Sequence, residues 1–432
     1  MSSATAATRG GEVLEALRAL PGGSELLALA EERDDLALVG GAVRDLLLGR
    51  MPRELDVVLT RDAPTFAREL AARVDTGAGA PASLTLHDRF GTAMLGWDAA
   101  RVDIAERRAE SYPAPGALPQ VRPGSSEEDL ERRDFTVNAI AVALGGARRG
   151  ELTSVMHALE DLDAGRLRVL HERSFIDDPT RLLRLARYRA RLGFELESGT
   201  RALATRALQE DALMSVSRAR VGAELRLALD EAGAPAALDS MAELGVLAAL
   251  APGLRFESDL AERALALLPP DCRPDLLLMA SLLLHLTVMP TQDPEPVIFG
   301  ILDEMEFTAA DRERAMRSAL AAPGLVGPMT HAGRPSQLRA ALFIHTPEAI
   351  ALAGALAGES SPRAATAARE WFERARLVHL QITGDDLIAV GVAPGPEIGR
   401  RLTAALARKL DGELDDGRDA ELRAALDAAI EG

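Results

Sequence analysis

The 432-residue sequence predicts an α+β protein: a small mixed-sheet head followed by a long all-helical extension. Three observations predict it. Short β-like runs alternate with helical patterns over the first third of the chain. From about Asp177 onward that alternation nearly vanishes, and helical periodicity runs to the end. Breaks at Pro235, Pro252, Pro269-Pro270, Pro323, Pro362 and Pro394-Gly395-Pro396 then divide the helical part, with no fixed-period repeat of the kind that builds a solenoid. The length suggests two to four domains rather than one core.

The elements of the head follow in order. Leu36-Ala37-Leu38-Val39 reads as a buried strand, ended by Gly40-Gly41 before a helix around Ala42–Leu48. Leu55-Asp56-Val57-Val58-Leu59 is a second strand, followed by a helix near Pro64–Val74. Further strands are expected at Leu84–Leu86, Thr92–Leu95 and Val102–Ala105. Tyr112-Pro113-Ala114-Pro115-Gly116 and Pro123-Gly124-Ser125 frame a long loop.

Composition excludes several classes of function. Acidic side chains outnumber basic ones, 66 to 49, for a net charge of −17, so any nucleic-acid surface is a local patch rather than a basic coat. Lys409 is the only lysine, which removes Walker-type phosphate loops, kinase-like lysines and almost every Schiff-base mechanism. The single cysteine, Cys272, allows no internal disulfide and no thiolate zinc site, and the cytoplasm is the expected compartment. The N-terminus has no apolar signal segment, and Leu276–Leu286 is too short to span a bilayer. Aromatics at 3% argue against a sheet that binds RNA by stacking bases.

Five motifs carry chemistry. In Leu38-Val39-Gly40-Gly41-Ala42-Val43-Arg44-Asp45, a strand ends in two glycines before a helix, so backbone N–H groups can approach an anion and Arg44 can reach a phosphate. Glu54 and Asp56 are two apart on the next strand and share a face; the carboxylates repel unless a cation such as Mg²⁺ sits between them and substrate phosphates. Asp103, inside Val102-Asp103-Ile104-Ala105, offers a third carboxylate or a base for an attacking hydroxyl. In Arg132-Arg133-Asp134-Phe135-Thr136-Val137-Asn138, Asp134 and Asn138 would lie on one face of a helix, although Asp134 reads equally as an N-cap.

The last motif is Asp177-Asp178-Pro179-Thr180-Arg181, read as a helix start. Arg181, Arg184, Arg187 and Arg191 cover one side of that helix, either as a solvated face or as a functional one. Asp178 and Arg181 are three apart. A carboxylate accepting from an exocyclic amine beside an Arg donating to a ring acceptor suits cytosine and adenine and rejects uracil and guanine.

Together these motifs resemble the class II tRNA nucleotidyltransferase (CCA-adding enzyme) and bacterial poly(A) polymerase family, over roughly residues 36–196. The resemblance implies a polymerase β-like nucleotidyltransferase head at 1–160. It implies an all-α neck with a nucleotide-selecting helix at 161–225, and an RNA-binding helical body and tail at 226–432. It places Gly41 and Arg44 on the incoming triphosphate, and makes Glu54 and Asp56 the metal-binding pair, with Asp103 as a third active-site acid. Arg133, Asp134 and Asn138 match the ribose and phosphate motif. Asp178 and Arg181 match the template that pairs with the base, with Arg184 and Arg187 nearby. Glu54 and Asp177 depart from the pattern, which usually has Asp and Glu at those two positions.

The implied activity is template-independent addition of C and A to the tRNA 3′ end from CTP and ATP, with Mg²⁺ as cofactor and pyrophosphate released. No membrane or DNA partner is expected. A poly(A) polymerase, a CC-only or A-only enzyme, a small-molecule nucleotidyltransferase and an inactive RNA-binding protein are the alternatives. The Arg face of the 181–191 helix is expected to contact RNA phosphates.

Overall fold

A computed structural model of the chain describes residues 3–74, 82–87, 91–97, 100–289, 293–358 and 362–428. It divides into two compact units, Met1–Ser217 and Arg218–Gly432.

The first unit opens with two helices ahead of the expected strands, α1 (Ser3–Arg18) and α2 (Gly23–Ala30). Then come β1 (Ala37–Val39), α3 (Gly41–Leu47), β2 (Leu55–Leu59) and α4 (Ala63–Arg73). β3 (Ser83–His87), β4 (Thr92–Trp97) and β5 (Ala100–Glu106) follow, all close to where the apolar alternation puts them. β6 (Arg108–Ser111) and β7 (Gln120–Pro123) form a separate antiparallel ribbon, which corrects the long-loop expectation. Pro123 lies opposite Arg108 at the end of a two-stranded ribbon, a place where a missing N–H is tolerated.

α5 (Ser126–Glu131) starts in a capping box: the Glu128 N–H donates to Ser125 Oγ at 3.2 Å and the Ser125 N–H donates to the Glu128 carboxylate at 2.9 Å. Two strands without a clear sequence signal, β8 (Ile140–Ala143) and β9 (Leu152–Ser154), complete the sheet.

The seven strands run β3-β4-β5-β2-β1-β8-β9. β2 is parallel to β5, and the crossover between them is made by α4 and the β3–β4 hairpin. Alternation sends Val57, Val102 and Ile104 to a buried face, and α4 packs against β4 and β5 with Phe66, Ala67 and Leu70 buried. The other face is apolar in one part, where Ala37, Val39, Val58 and Ala141 bury with Leu130 of α5. Asp56 and Asp103 project from that same side, and register sets them directly opposite each other.

After the sheet come α6 (Ala158–Asp163), β10 (Arg166–Leu167), α7 (Ser174–Asp177), α8 (Arg181–Leu192), β11 (Glu195–Leu196) and α9 (Ser198–Gln209). β10 pairs in parallel with β11. Gly193 ends α8 with φ 71°, a left-handed cap open to glycine without strain.

The second unit is helical throughout its described residues. The apolar run from Leu276 is a core helix, Pro274–Leu283, in which every residue from Leu276 to Leu283 is buried. No described helix is long and apolar enough to cross a membrane. The helix Pro347–Leu356 packs against Ala309–His331, and its fully buried Glu348 accepts two hydrogen bonds from Arg314, at 3.0 and 2.9 Å. Near the C-terminus a small core forms from Ile382, Leu387, Ala405, Ala424 and Ala425. The one lysine serves structure there: Lys409 Nζ donates to buried Glu421 at 2.5 Å and to the His379 carbonyl at 2.8 Å.

Candidate active site

Glu54, just ahead of β2, Asp56 on β2 and Asp103 on β5 each bring a carboxylate oxygen to within 4.8 Å of the others. The parallel register and the two-residue spacing produce this convergence. Burial, then the adjoining Glu54 and Asp103 charges, push the Asp56 carboxyl up to about 6, against the pull of Arg133 and Arg101. Three crowded carboxylates, one of them held part-protonated, suit a divalent cation with phosphate oxygens as its remaining ligands. Arg101, two residues before Asp103, grips both oxygens of that carboxylate, with Nε–Oδ1 2.9 Å and Nη2–Oδ2 2.6 Å. It also lies 3.5 Å from Glu54.

Gly40 links the triad to the next motif. Its φ of 73° is the left-handed region, and a Cβ there would sit 2.6 Å from Arg133 Nη1 and 3.6 Å from Asp56 Oδ2. Only glycine leaves room for that guanidinium beside the acid. Gly41 has no such constraint; an added Cβ would meet only Arg44, at 3.5 Å. Arg133 is anchored by Asp129, with Nη2–Oδ2 3.0 Å, and Arg132 shares the same buried acid. Despite burial, which works the other way, these two arginines hold the Asp129 carboxyl below the usual carboxylate range.

Behind the triad lies a continuous charged network. Arg44, 1% exposed, donates to Asp45 through Nε and Nη2 at 2.8 and 2.7 Å and to the Asn138 side-chain oxygen through Nη1. Asn138 Nδ2 donates to Asp134 Oδ1 at 2.9 Å, and Asp134 Oδ2 accepts from Arg184 Nε and Nη2 at 2.9 and 2.7 Å. Arg191 closes the far end on Asp45 at 3.0 Å. Burial alone would raise the Asp134 carboxyl, but Arg184 and Asn138 outweigh it and bring it down to about 2. Asp134 and Asn138 meet through a single 3-10 turn, Thr136–Asn138, rather than along a helix face as expected, because the extended Phe135 separates Asp134 from the turn.

The arginine face of α8 therefore points inward. Arg181 and Arg187 are buried at 4% and 8% exposure, so the solvated-face reading fails. With Arg184 and Arg191 already paired to Asp134 and Asp45, this face is not a free RNA-phosphate surface. Tyr188 sits at its centre: the guanidinium carbons of Arg44, Arg184 and Arg187 lie 5.2, 5.4 and 5.7 Å from the ring centroid, and Phe135 meets the ring edge-on.

Asp177-Asp178-Pro179 joins two helices instead of starting one, since Asp177 ends α7 and α8 begins at Arg181. Asp178 accepts from the Thr180 N–H and hydroxyl at 3.1 and 2.6 Å. Arg181 donates to Ser174 Oγ at 2.7 Å and to the Arg132 carbonyl at 2.9 Å. Asp177 and Arg181 line a cleft of about 940 Å³, together with Tyr112, Arg132, Arg168 and His171.

Arg101, Asp129, Asp45 and Tyr188 are the site residues that motif reading missed. Strand alternation held a signal for Arg101, two positions from Asp103. Tyr188, one of two tyrosines in the chain, stood out only as an aromatic among arginines.

Residues 36–168 match the Poly A polymerase head domain family. The A-adding tRNA nucleotidyltransferase of Halalkalibacterium halodurans is 40% identical over 235 residues, 54% of this chain and 53% of that protein. The CC-adding tRNA nucleotidyltransferase of Deinococcus radiodurans is 33% identical over 404 residues, 91% of this chain and 90% of that protein. Among solved structures, the Thermotoga maritima CCA-adding enzyme complexed with tRNA_CCA superposes with a TM-score of 0.75 at 25% identity, covering 96% of this chain and 97% of that one. The chain spans about half or less of the length of three A-adding relatives that it matches. Likeness along nearly the whole of the Deinococcus enzyme, together with the head-domain match, shows that this chain belongs to the class II tRNA nucleotidyltransferase and bacterial poly(A) polymerase family.

Proposed function

We propose that this protein adds C and A residues to the 3′ end of tRNA from CTP and ATP, without a nucleic-acid template. The observation that carries the reading is the convergence of Glu54, Asp56 and Asp103 at the two adjacent central strands of the head sheet. Glu54 and Asp56 would hold Mg²⁺ with Asp103 beside them; when bound, the ion supplies Lewis-acid charge neutralisation at the α-phosphate and a more acidic attacking hydroxyl. Arg133, beside Asp56 across Gly40, is suited to draw the triphosphate towards the acids. Gly41 and Arg44 complete the phosphate contacts, and Arg44 also holds Asn138 in place. Asp134 and Asn138 would orient the ribose, with Arg184 fixing Asp134 and Arg187 closing the site beside Tyr188. Asp178 and Arg181 would read the base, accepting the amine of C or A and donating to the neighbouring ring acceptor.

A second reading, addition of A alone, is favoured by the A-adding relatives, of which one is 40% identical over 235 residues. One experiment separates them: purified protein incubated in Mg²⁺ with tRNAs ending at the discriminator base, at C and at CC, each with one labelled nucleotide at a time. Full CCA addition gives C on the first two substrates and A on the third. The A-only reading gives A on the third and nothing on the others, and incorporation on none of them removes both.

A further inference from the structure

We propose that Arg101 is the internal counter-ion of the acid triad and sets how tightly the triad takes a divalent cation. The inference rests on the metal reading of Glu54, Asp56 and Asp103 and goes beyond it. Arg101 and Asp103 are two apart on β5, so their side chains leave the same strand face. The guanidinium covers both oxygens of Asp103 in a two-pronged contact, at 2.9 and 2.6 Å, and reaches Glu54 at 3.5 Å. A metal ion at the triad needs those same lone pairs. It also brings two positive charges up against the one already there.

Loading Asp103 therefore requires the fork to open, and Arg101, about half exposed, has solvent to swing into. Its other neighbours hold it less firmly than Asp103 does: Asp56 and Glu54 attract it only through charge. Arg133, the second cation near the triad, is tied to buried Asp129 and cannot leave in the same way. One fixed and one releasable arginine thus offset part of the charge of the three acids. Glu54 adds to the effect. Its carboxylate competes with Asp103 for the same guanidinium, which it approaches to 3.5 Å.

Arg101 is in this sense a positioning residue, acting through Asp103 and Glu54. The test uses the whole chain without nucleotide, titrated with Mn²⁺ while the free-ion electron paramagnetic resonance signal is followed. Arg101→Gln removes the competing charge and should bind Mn²⁺ roughly 3- to 10-fold more tightly than wild type. Arg101→Lys keeps a charge but loses the fork, and should tighten binding by roughly twofold. Thermal melts should show Arg101→Gln less stable than wild type without metal and raised further by added Mn²⁺. Unchanged or weaker Mn²⁺ affinity in Arg101→Gln overturns the proposal; if that variant does not fold, unchanged affinity in Arg101→Lys does the same. Asp56→Ala separates the two levels of inference. Binding in wild type that Asp56→Ala abolishes and Arg101→Gln leaves unaltered rejects Arg101 alone, whereas no binding in wild type rejects the metal reading and the proposal together.

Discussion

Two aspartates in this site are pushed in opposite directions, and each has a pH consequence. Asp134 is held down to about 2, so its contribution to folding is complete above its ordinary value near 3.8 and is lost as pH falls through 2. Asp134→Asn leaves the half-buried Arg184 facing an uncharged amide and should cost on the order of 1–3 kcal/mol in urea unfolding at neutral pH. The gap to wild type should narrow below pH 4, and a gap that stays constant down to pH 2.5 would refute the charge pairing. Asp56 has the reverse sign. Its carboxyl is raised to about 6, so the folded state carries an extra proton between roughly pH 4 and 6, and that stabilising contribution is lost as pH rises through 6. A metal must displace that proton, so Mn²⁺ affinity should fall as pH drops through 6. Affinity that is level between pH 5 and 7.5 would contradict the shift. Both aspartates were legible as site residues from their motifs, but the shifts were not, because they depend on Arg184, 50 positions away in the chain, for Asp134 and on burial for Asp56.

At the level of elements, β5 was readable because one face is buried and the other is polar, a period-two pattern, and β2 because it is a short apolar, valine-rich run broken only by Asp56. β8 and β9 were not, since Ile140–Ala143 is a short, nearly all-buried run with no alternation, and β9 has only three residues. The α8 helix was legible as amphipathic, but solvated and functional readings of its arginine face stay open until the acids that receive it, Asp45 and Asp134, are known to lie opposite. The segment before α8 carries the sharpest expectation of nucleotide choice. Asp178→Ala removes an acceptor for the amine of C or A, and a lost hydrogen bond of this kind costs on the order of 1–3 kcal/mol. CTP and ATP use should fall roughly 5- to 100-fold, with UTP and GTP rising in relative terms, in competition assays with all four nucleotides. Wild-type ratios in Asp178→Ala would mean that Asp178 serves only the Thr180 turn it already caps.

For the molecule as a whole, the net charge of −17 limits how RNA can be held. Contacts must come from local basic patches set in a repelling surface, so tRNA affinity should fall steeply with salt, with a slope equivalent to only a few released counterions. A salt-independent affinity in filter-binding or polarisation assays would rule out that mode of contact. The one lysine, Lys409, ties the C-terminal core together through Glu421. The helical second unit offered periodicity but no motif, because its ion pairs, such as Arg314 with buried Glu348, are 34 residues apart in sequence and follow no local rule. The proposed activity places nucleotidyl transfer to tRNA on the three acids of the head sheet. The most direct measurement is labelled-nucleotide incorporation by wild type and Asp56→Ala into tRNA lacking its terminal residues, in Mg²⁺ and in chelator, with circular dichroism confirming that the variant is folded. Incorporation by wild type in Mg²⁺ alone and none by folded Asp56→Ala is the expected result; full activity in Asp56→Ala, or equal incorporation in chelator, would contradict it.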